Sequence, residues 1–160
     1  MIDTLDDIQA IAALKSRYCR TLDTKDWSGF RALFADDFVG DNTEAGGRVC
    51  DGADEFVAFV RKALAGRVTV HHVLQPEIEL TSPVEALGIW AMQDLVRLLP
   101  GLTMHGFGHY HETYEKNVGK WLIKTSRLSR LREDLRTPVL TLFISDRIKR
   151  GLRLAVLRRT

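Results

Sequence analysis

A tyrosine and a carboxylate lie near the end of the first amphipathic segment, and the histidines lie far from them in sequence. Tyr18 and Asp23 are five residues apart, and all five histidines fall between positions 71 and 111. Because five residues turn a helix by about 140° net, the two side chains share a face only if the helix ends there. A carboxylate beside a phenol, joined by a histidine, has the residue types needed to remove a proton from carbon next to a carbonyl.

The histidines occupy two stretches with the alternation of β-strands. Side chains alternate between the faces of a strand, so only one of His71 and His72 can point into a given cavity. In the second stretch one face carries His105, His109 and His111, and the opposite face carries Tyr110. Alternating histidines on neighbouring strands could bind zinc or iron, with surface or hydrogen-bonding histidines as the alternative. No carboxylate or cysteine lies at a recognisable metal-motif spacing, so we predict no metal site.

The composition indicates one soluble domain. The 160 residues are 45% hydrophobic and 28% charged, which suits a single core. The net charge is +2, but the basic excess lies from Arg127 onward, so a nucleic-acid role would rest on the tail alone and is not predicted. Cys19 and Cys50 form no disulfide framework. An acidic N-terminus and the absence of a membrane-length apolar run predict a cytoplasmic protein without an integral membrane segment.

Helical spacing dominates the first part of the chain. Thr4 followed by Asp6 and Asp7 predicts a helix start, and apolar spacing then places Tyr18 on the buried stripe. A core aromatic with a satisfied hydroxyl is the alternative interpretation of Tyr18. We predict a second, shorter helix from Asp26 to about Phe34, a small hairpin over 38–51, and a third helix over about 53–64.

The period changes from 3.6 to 2 after residue 66. Strand-like runs cover 67–80, 86–98, 104–116 and 120 to about 132. Pro76 interrupts the first run, which indicates an edge strand or a bulge. Three helices followed by a long antiparallel meander predict an α+β fold.

Three stretches carry a family resemblance. They are Ile11-Ala-Ala-Leu-Lys-Ser-Arg-Tyr-Cys-Arg-Thr-Leu-Asp-Thr-Lys-Asp-Trp27, then His71 ahead of Pro76-Glu77-Ile78, and Tyr110-His-Glu-Thr-Tyr-Glu-Lys116 with Gly119-Lys-Trp121. Over roughly residues 6–133 the chain resembles the polyketide-cyclase-like (SnoaL-like) branch of the nuclear transport factor two-like superfamily. Within that branch it is most similar to bile acid 7-alpha-dehydratases, and more distantly to scytalone dehydratases and hexachlorocyclohexane dehydrochlorinases. The resemblance implies a cone-shaped fold, with three N-terminal helices on a strongly curved antiparallel sheet enclosing an apolar pocket.

The resemblance also implies a site and an activity. The family's paired acid falls on Asp23, its general base on His71, its pocket tyrosine on Tyr18, and an arginine of the last strand on Arg130. These residues would serve a cofactor-independent, dehydratase-like lyase or isomerase acting on a hydrophobic steroid- or polyketide-like molecule. Arg130 would either serve an anionic substrate group or pair with an acid. The alternative function is a non-catalytic domain that binds a small molecule or mediates assembly.

The last residues differ in character from the rest. We expect a single domain over 1–135 and an apolar and basic tail over 136–160. The apolar part, 138–145, is too hydrophobic to leave in water as a free end, although the basic part also permits a membrane-surface role. The dehydratases that the chain resembles are commonly trimers with pockets closed by C-terminal segments. We therefore predict a homo-oligomer, with a trimer favoured and a dimer possible, whose residues 138–145 pack at the pocket mouth or subunit interface.

Overall fold

A computed structural model describes residues 4–144 of the chain. The α-helices are α1 (Thr4–Thr24), α2 (Trp27–Arg31) and α3 (Ala53–Leu64). The strands are β1 (Phe34–Asp41), β2 (Val49–Asp51), β3 (Thr69–Ser82), β4 (Glu85–Leu99), β5 (Leu102–Asn117), β6 (Lys120–Arg136) and β7 (Thr141–Phe143). A 3-10 turn at Thr43–Ala45 joins β1 to β2. The predicted α+β class is confirmed.

The strands form one mixed sheet. Its order is β2-β1-β6-β5-β4-β3, and β7 pairs with the far end of β6. The predicted antiparallel sheet is wrong at one place, because β1 pairs with β6 in parallel. A parallel neighbour needs a long connection, and the chain between β1 and β6 supplies it. Nothing local in the sequence shows that the first strand lies beside the sixth.

The second helix is shorter than predicted. It ends at Arg31, and Phe34 already belongs to β1 instead of closing a helical apolar face. The rings of Phe34 and Phe38 lie 4.6 Å apart between centroids, and Phe34 also meets Phe56 of α3 at 5.3 Å. Tertiary packing against α3 therefore overrides the helical spacing of these aromatic residues.

The sheet bends where its register shifts. β3 is an edge strand, and its pairing with β4 is interrupted between Leu74 and Glu77, around Pro76, as predicted. A second shift separates Phe107 from Gly108 in the pairing of β5 with β6. A Cβ on Gly108 would collide with the carbonyl oxygen of Ser129, so glycine is required at that bulge. Bulges of this kind bend a strand and increase its twist.

A buried ion pair holds α1 against the inner face of the sheet. Lys15 Nζ lies 2.5 Å from Glu112 Oε1 of β5, and both side chains are fully buried. The Glu112 carboxylate also accepts hydrogen bonds from Tyr114 and Ser126. The Lys15 ammonium lies 4.0 Å from the centroid of the Tyr18 ring. Each charge is thus surrounded by polar or aromatic partners, which a buried ion requires.

The end of the described chain is a short edge strand. β7 pairs with β6 from Arg136 to Asp134, and the apolar side chains of residues 139–143 are mostly exposed on the single chain. Their predicted burial against another subunit stays a prediction, and residues 145–160 of the predicted tail lie outside the described residues. Within residues 4–144, no helix is long and apolar enough to cross a membrane.

Removing one partner of the buried pair should destabilise the fold strongly. In Lys15→Met the Glu112 carboxylate loses its cation in the interior, and we expect a loss of about 3–5 kcal/mol in the free energy of unfolding. Chemical denaturation measures it. Adding Glu112→Gln should recover much of the loss, because no charge is then buried and the amide oxygen still accepts one of the two hydrogen bonds from Tyr114 and Ser126.

The exposed pair between Lys124 and Asp37 is the matched control for that experiment. Lys124→Met should have a much smaller effect, because water screens the charges of an exposed ion pair. Equal losses in Lys15→Met and Lys124→Met would contradict the importance of the buried pair.

Deleting the tail tests its predicted role in assembly. A chain that ends at Arg136 lacks β7 and the apolar residues that follow Pro138. We expect a smaller assembly by light scattering and a lower midpoint of thermal unfolding. An unchanged assembly with unchanged stability would show that the tail neither joins subunits nor supports the fold.

Candidate active site

The last turn of α1 brings Asp23 against the first residues of β3. Asp23 Oδ1 lies 2.6 Å from His71 Nδ1, and Asp23 Oδ2 accepts the backbone N–H of His71 at 2.8 Å. Two contacts to one residue fix both the strand and the imidazole ring relative to the carboxylate. His71 is buried, whereas its neighbour His72 is exposed on the opposite face, as the alternation predicts.

Thr69 also binds the Asp23 carboxylate, and Lys25 binds Thr69. Thr69 Oγ1 donates to Asp23 Oδ1 at 2.8 Å, and the same hydroxyl accepts a hydrogen bond from Lys25 Nζ at 2.6 Å. Burial raises the pKa of Asp23, but the hydrogen bonds from His71 and Thr69 outweigh that effect and bring the pKa below its usual value. Asp23 therefore stays ionised at neutral pH beside the imidazole.

Tyr18 lies on the buried face of α1, and its ring meets the Tyr110 ring of β5 at 5.7 Å between centroids. Burial raises the pKa of the Tyr18 phenol well above its ordinary value, and the nearby Tyr110 and Glu112 raise it further. The phenol is thus held in its protonated form, in which it can donate a hydrogen bond.

A cavity of about 320 Å³ lies between the helices and the inner face of the sheet. Its lining includes Tyr18, His71, Tyr110 and Arg130. Three of the four predicted site residues, Tyr18, His71 and Arg130, therefore share one cavity, and the fourth, Asp23, contacts His71. The opposite wall is apolar and comes mainly from α3, through Phe56, Phe59, Val60, Ala63 and Leu64. The volume lies near the lower end of the range for small-molecule sites.

Arg130 of β6 lies on the sheet side of the cavity with its charge already paired. Its Nη2 lies 2.5 Å from Asp94 Oδ2, and its Nε lies 3.3 Å from Glu133 Oε1. Of the two arrangements that the sequence leaves open for Arg130, the structure shows the one in which it pairs with acids. Only 5% of the Arg130 side chain is exposed.

Sequence reasoning did not identify Asp94 as a site residue. It lies on β4 directly opposite His71 of β3, and it lines the same cavity. The available signal is an acidic residue at an inward position of an apolar strand, between Gln93 and Leu95. That signal does not show which residue faces Asp94, because the sequence of one strand alone does not determine its register with the next strand.

The remaining histidines lie away from the cavity. His105, His109 and His111 of β5 occupy the face opposite Tyr110 and are partly buried, as the alternation predicts. His111 Nε2 lies 3.1 Å from Ser129 Oγ. Among residues 4–144, no three histidine, cysteine, aspartate or glutamate side chains are grouped closely enough to hold a metal ion.

Comparisons with known proteins agree with this architecture. A protein assigned as a cyclase, FGR4 from Gibberella zeae, is 28% identical over 134 residues, covering 73% of this chain and 86% of its own length. A crystal structure assigned as a scytalone dehydratase from Novosphingobium aromaticivorans matches with a TM-score of 0.75 and 24% identity, covering 83% of this chain and 90% of its own. A hexachlorocyclohexane dehydrochlorinase, LinA type 2, matches with a TM-score of 0.74 and 18% identity, covering 90% and 93%.

The two solved structures show that the fold is shared. The sequence pattern of the SnoaL-like domain matches residues 3–127, which is more than half of the chain. The protein therefore belongs to the SnoaL-like domain family, within the nuclear transport factor two-like superfamily.

Proposed function

We propose that the protein is a cofactor-independent, dehydratase-like lyase or isomerase that uses His71 as its general base. The observation that carries this proposal is the 2.6 Å contact between His71 Nδ1 and Asp23 Oδ1 on the wall of an apolar cavity. With Nδ1 engaged by the carboxylate, Nε2 is the ring nitrogen left to accept a proton from a bound molecule.

Asp23 gives His71 the properties of a base. An ionised carboxylate at Nδ1 fixes the tautomer with its free lone pair on Nε2, and it stabilises the imidazolium that forms when Nε2 takes a proton. The hydrogen bonds from Thr69 and from the His71 backbone hold the carboxylate in place while this happens.

Tyr18 is the proposed donor to the oxygen of the substrate. Its protonated phenol lines the same cavity as His71. A donor aimed where negative charge develops, at an enolate or a departing hydroxyl, contributes about 2.7–4 kcal/mol to catalysis in a dry site. Arg130 completes the proposed set from the sheet side of the cavity.

The substrate class follows from the cavity wall and from the relatives. Phe56, Phe59 and Leu64 offer an apolar surface suited to a hydrophobic, steroid- or polyketide-like molecule. Relatives named as a cyclase, a scytalone dehydratase and a dehydrochlorinase support a lyase-like role. A closer kinship with bile acid 7-alpha-dehydratases and a trimeric assembly are parts of the same proposal.

Replacing the base should abolish proton abstraction while preserving the fold. The exchange of the α-protons of 1-tetralone in deuterium oxide, followed by mass spectrometry, measures this step without requiring a complete reaction. We expect His71→Ala to lower the enzyme-dependent exchange rate by a factor of about 10²–10⁴, the usual contribution of a general base.

The adjacent His72 provides the control, because its side chain lies on the exposed face of the same strand. His72→Ala should exchange protons at the rate of the unaltered protein. If His71→Ala were as fast as the unaltered protein, or if the unaltered protein did not exceed the uncatalysed rate, the proposed base would be wrong.

Activity should decline as the solution becomes acidic. Protonation of His71 removes the lone pair that accepts the proton, and histidine ordinarily titrates between about pH 5 and 8. The lowered pKa of Asp23 keeps that carboxylate ionised across the same range. A rate that stays flat from pH 5 to 8 in the exchange assay would indicate a different base.

Unfolding can be separated from this loss of activity. The folded-state pKa of Asp23 lies below its unfolded value, so its contribution to stability is present above the unfolded pKa of 3.8 and disappears only as the pH falls through the folded value. Circular dichroism should therefore show a folded protein throughout the pH range of the activity transition.

A further inference from the structure

The ion pairs of Arg130 are built into the sheet. On adjacent strands His71, Asp94, Gly106 and Glu133 lie in one row, each opposite the next. A Cβ on Gly106 would collide with both Arg130 Nη1 and Asp94 Oδ1, so the absence of a side chain on β5 gives the pair its space. The guanidinium lies across this gap, with carboxylates on β4 and β6.

Asp94 and Glu133 both contact the guanidinium of Arg130. Its Nη2 lies against Asp94 at 2.5 Å and its Nε faces Glu133 at 3.3 Å, while Nη1 lies 3.5 Å from Met92 Sδ. Nη1 and Nη2 thus have hydrogen-bond partners within the protein, whereas Nε has an ion contact with Glu133 but no hydrogen bond. The side chains of Arg130, Asp94 and Glu133 are each no more than 8% exposed.

The charges around the cavity therefore sum to an excess of acid. Among the described residues that line the cavity, Arg130 is the only lysine or arginine, and Asp94 is the only aspartate or glutamate. Glu133 contacts Arg130 directly, and Asp23 contacts His71. Lys25 is joined to Asp23 through Thr69, so when His71 is neutral three carboxylates stand against two cations. An anion brought into this apolar space would therefore be repelled.

We propose that the cavity selects an uncharged molecule, and that Asp94 and Glu133 set this preference by neutralising Arg130. The inference rests on the proposed function in taking this cavity as the substrate site. It restricts the substrate to a neutral, apolar molecule bearing keto or hydroxyl groups, and it excludes carboxylates and phosphates from the interior. Asp94 and Glu133 are specificity-determining residues that act through Arg130.

A matched pair of probes tests the preference by calorimetry at pH 8. The probe 2-acetylnaphthalene is neutral, whereas naphthalene-2-carboxylate has the same ring system and a negative charge. We expect the unaltered protein to bind the ketone at least tenfold more tightly than the carboxylate. Asp94→Asn keeps the shape of the side chain but removes its charge. It should lower the ratio of ketone affinity to carboxylate affinity by at least tenfold.

Two more variants make the result specific. Glu133→Gln should change the ratio in the same direction, and it provides a second route if Asp94→Asn fails to fold by circular dichroism. Combining Arg130→Met with Asp94→Asn should abolish the gained carboxylate binding, because the released cation is then absent. An unchanged ratio in both single variants would overturn the proposal, as would equal binding of the two probes by the unaltered protein.

Failure of this inference differs from failure of the proposed catalysis. His71→Ala should keep the preference for the ketone, because its binding does not require proton transfer. An unaltered protein that prefers the ketone but exchanges protons no faster than the uncatalysed rate would contradict only the role of His71. Catalysis with no preference would contradict only the role of Asp94 and Glu133, and binding of neither probe would overturn the selective cavity itself.

Discussion

The contact between Lys15 and Glu112 is the constraint on which the site depends. It fixes α1 on the inner face of the sheet at a point where both charges are completely buried. Tyr18 follows Lys15 by one helical turn, so the same anchoring places its ring toward the cavity. The Lys15 ammonium also lies 3.8 Å from the centroid of the Tyr110 ring. This contact joins α1 to a residue of β5 that lines the cavity. Any displacement of α1 would expose an unpaired charge to the interior.

Other buried or partly buried charges also pair between different elements of the fold. Asp23 joins α1 to His71 of β3, and Asp94 joins β4 to Arg130 of β6. Because an isolated buried charge is costly, each pair favours one relative position of the two elements that it connects. The apolar cavity lies between these fixed points. The side chains that fix the positions of the helices and strands are therefore also those of the candidate site.

Periodicity along the chain was enough to predict which face of a strand each side chain occupies, but not which strands and residues pair. The alternation of β3 correctly separated His71 from His72, and that of β5 separated Tyr110 from the histidines beside it. The contact of Asp23 with His71 was expected only through a family resemblance, since 48 residues separate them. Neither source indicated that Asp94 lies opposite His71, or that β1 runs parallel to β6, because both facts depend on strand register and order.

Pairing Arg130 with acids also suits the proposed base. When His71 accepts a proton it becomes a cation, and an unpaired guanidinium on the same wall would oppose that change. With Asp94 and Glu133 beside Arg130, the local charge is negative and would stabilise the imidazolium of the proposed mechanism together with Asp23. This surplus of negative charge would have two consequences, since it would repel anionic molecules and support the proposed proton transfer to His71. The pairing of Arg130 with Asp94 and Glu133 thus serves both the proposed selection of a neutral substrate and the proposed proton transfer.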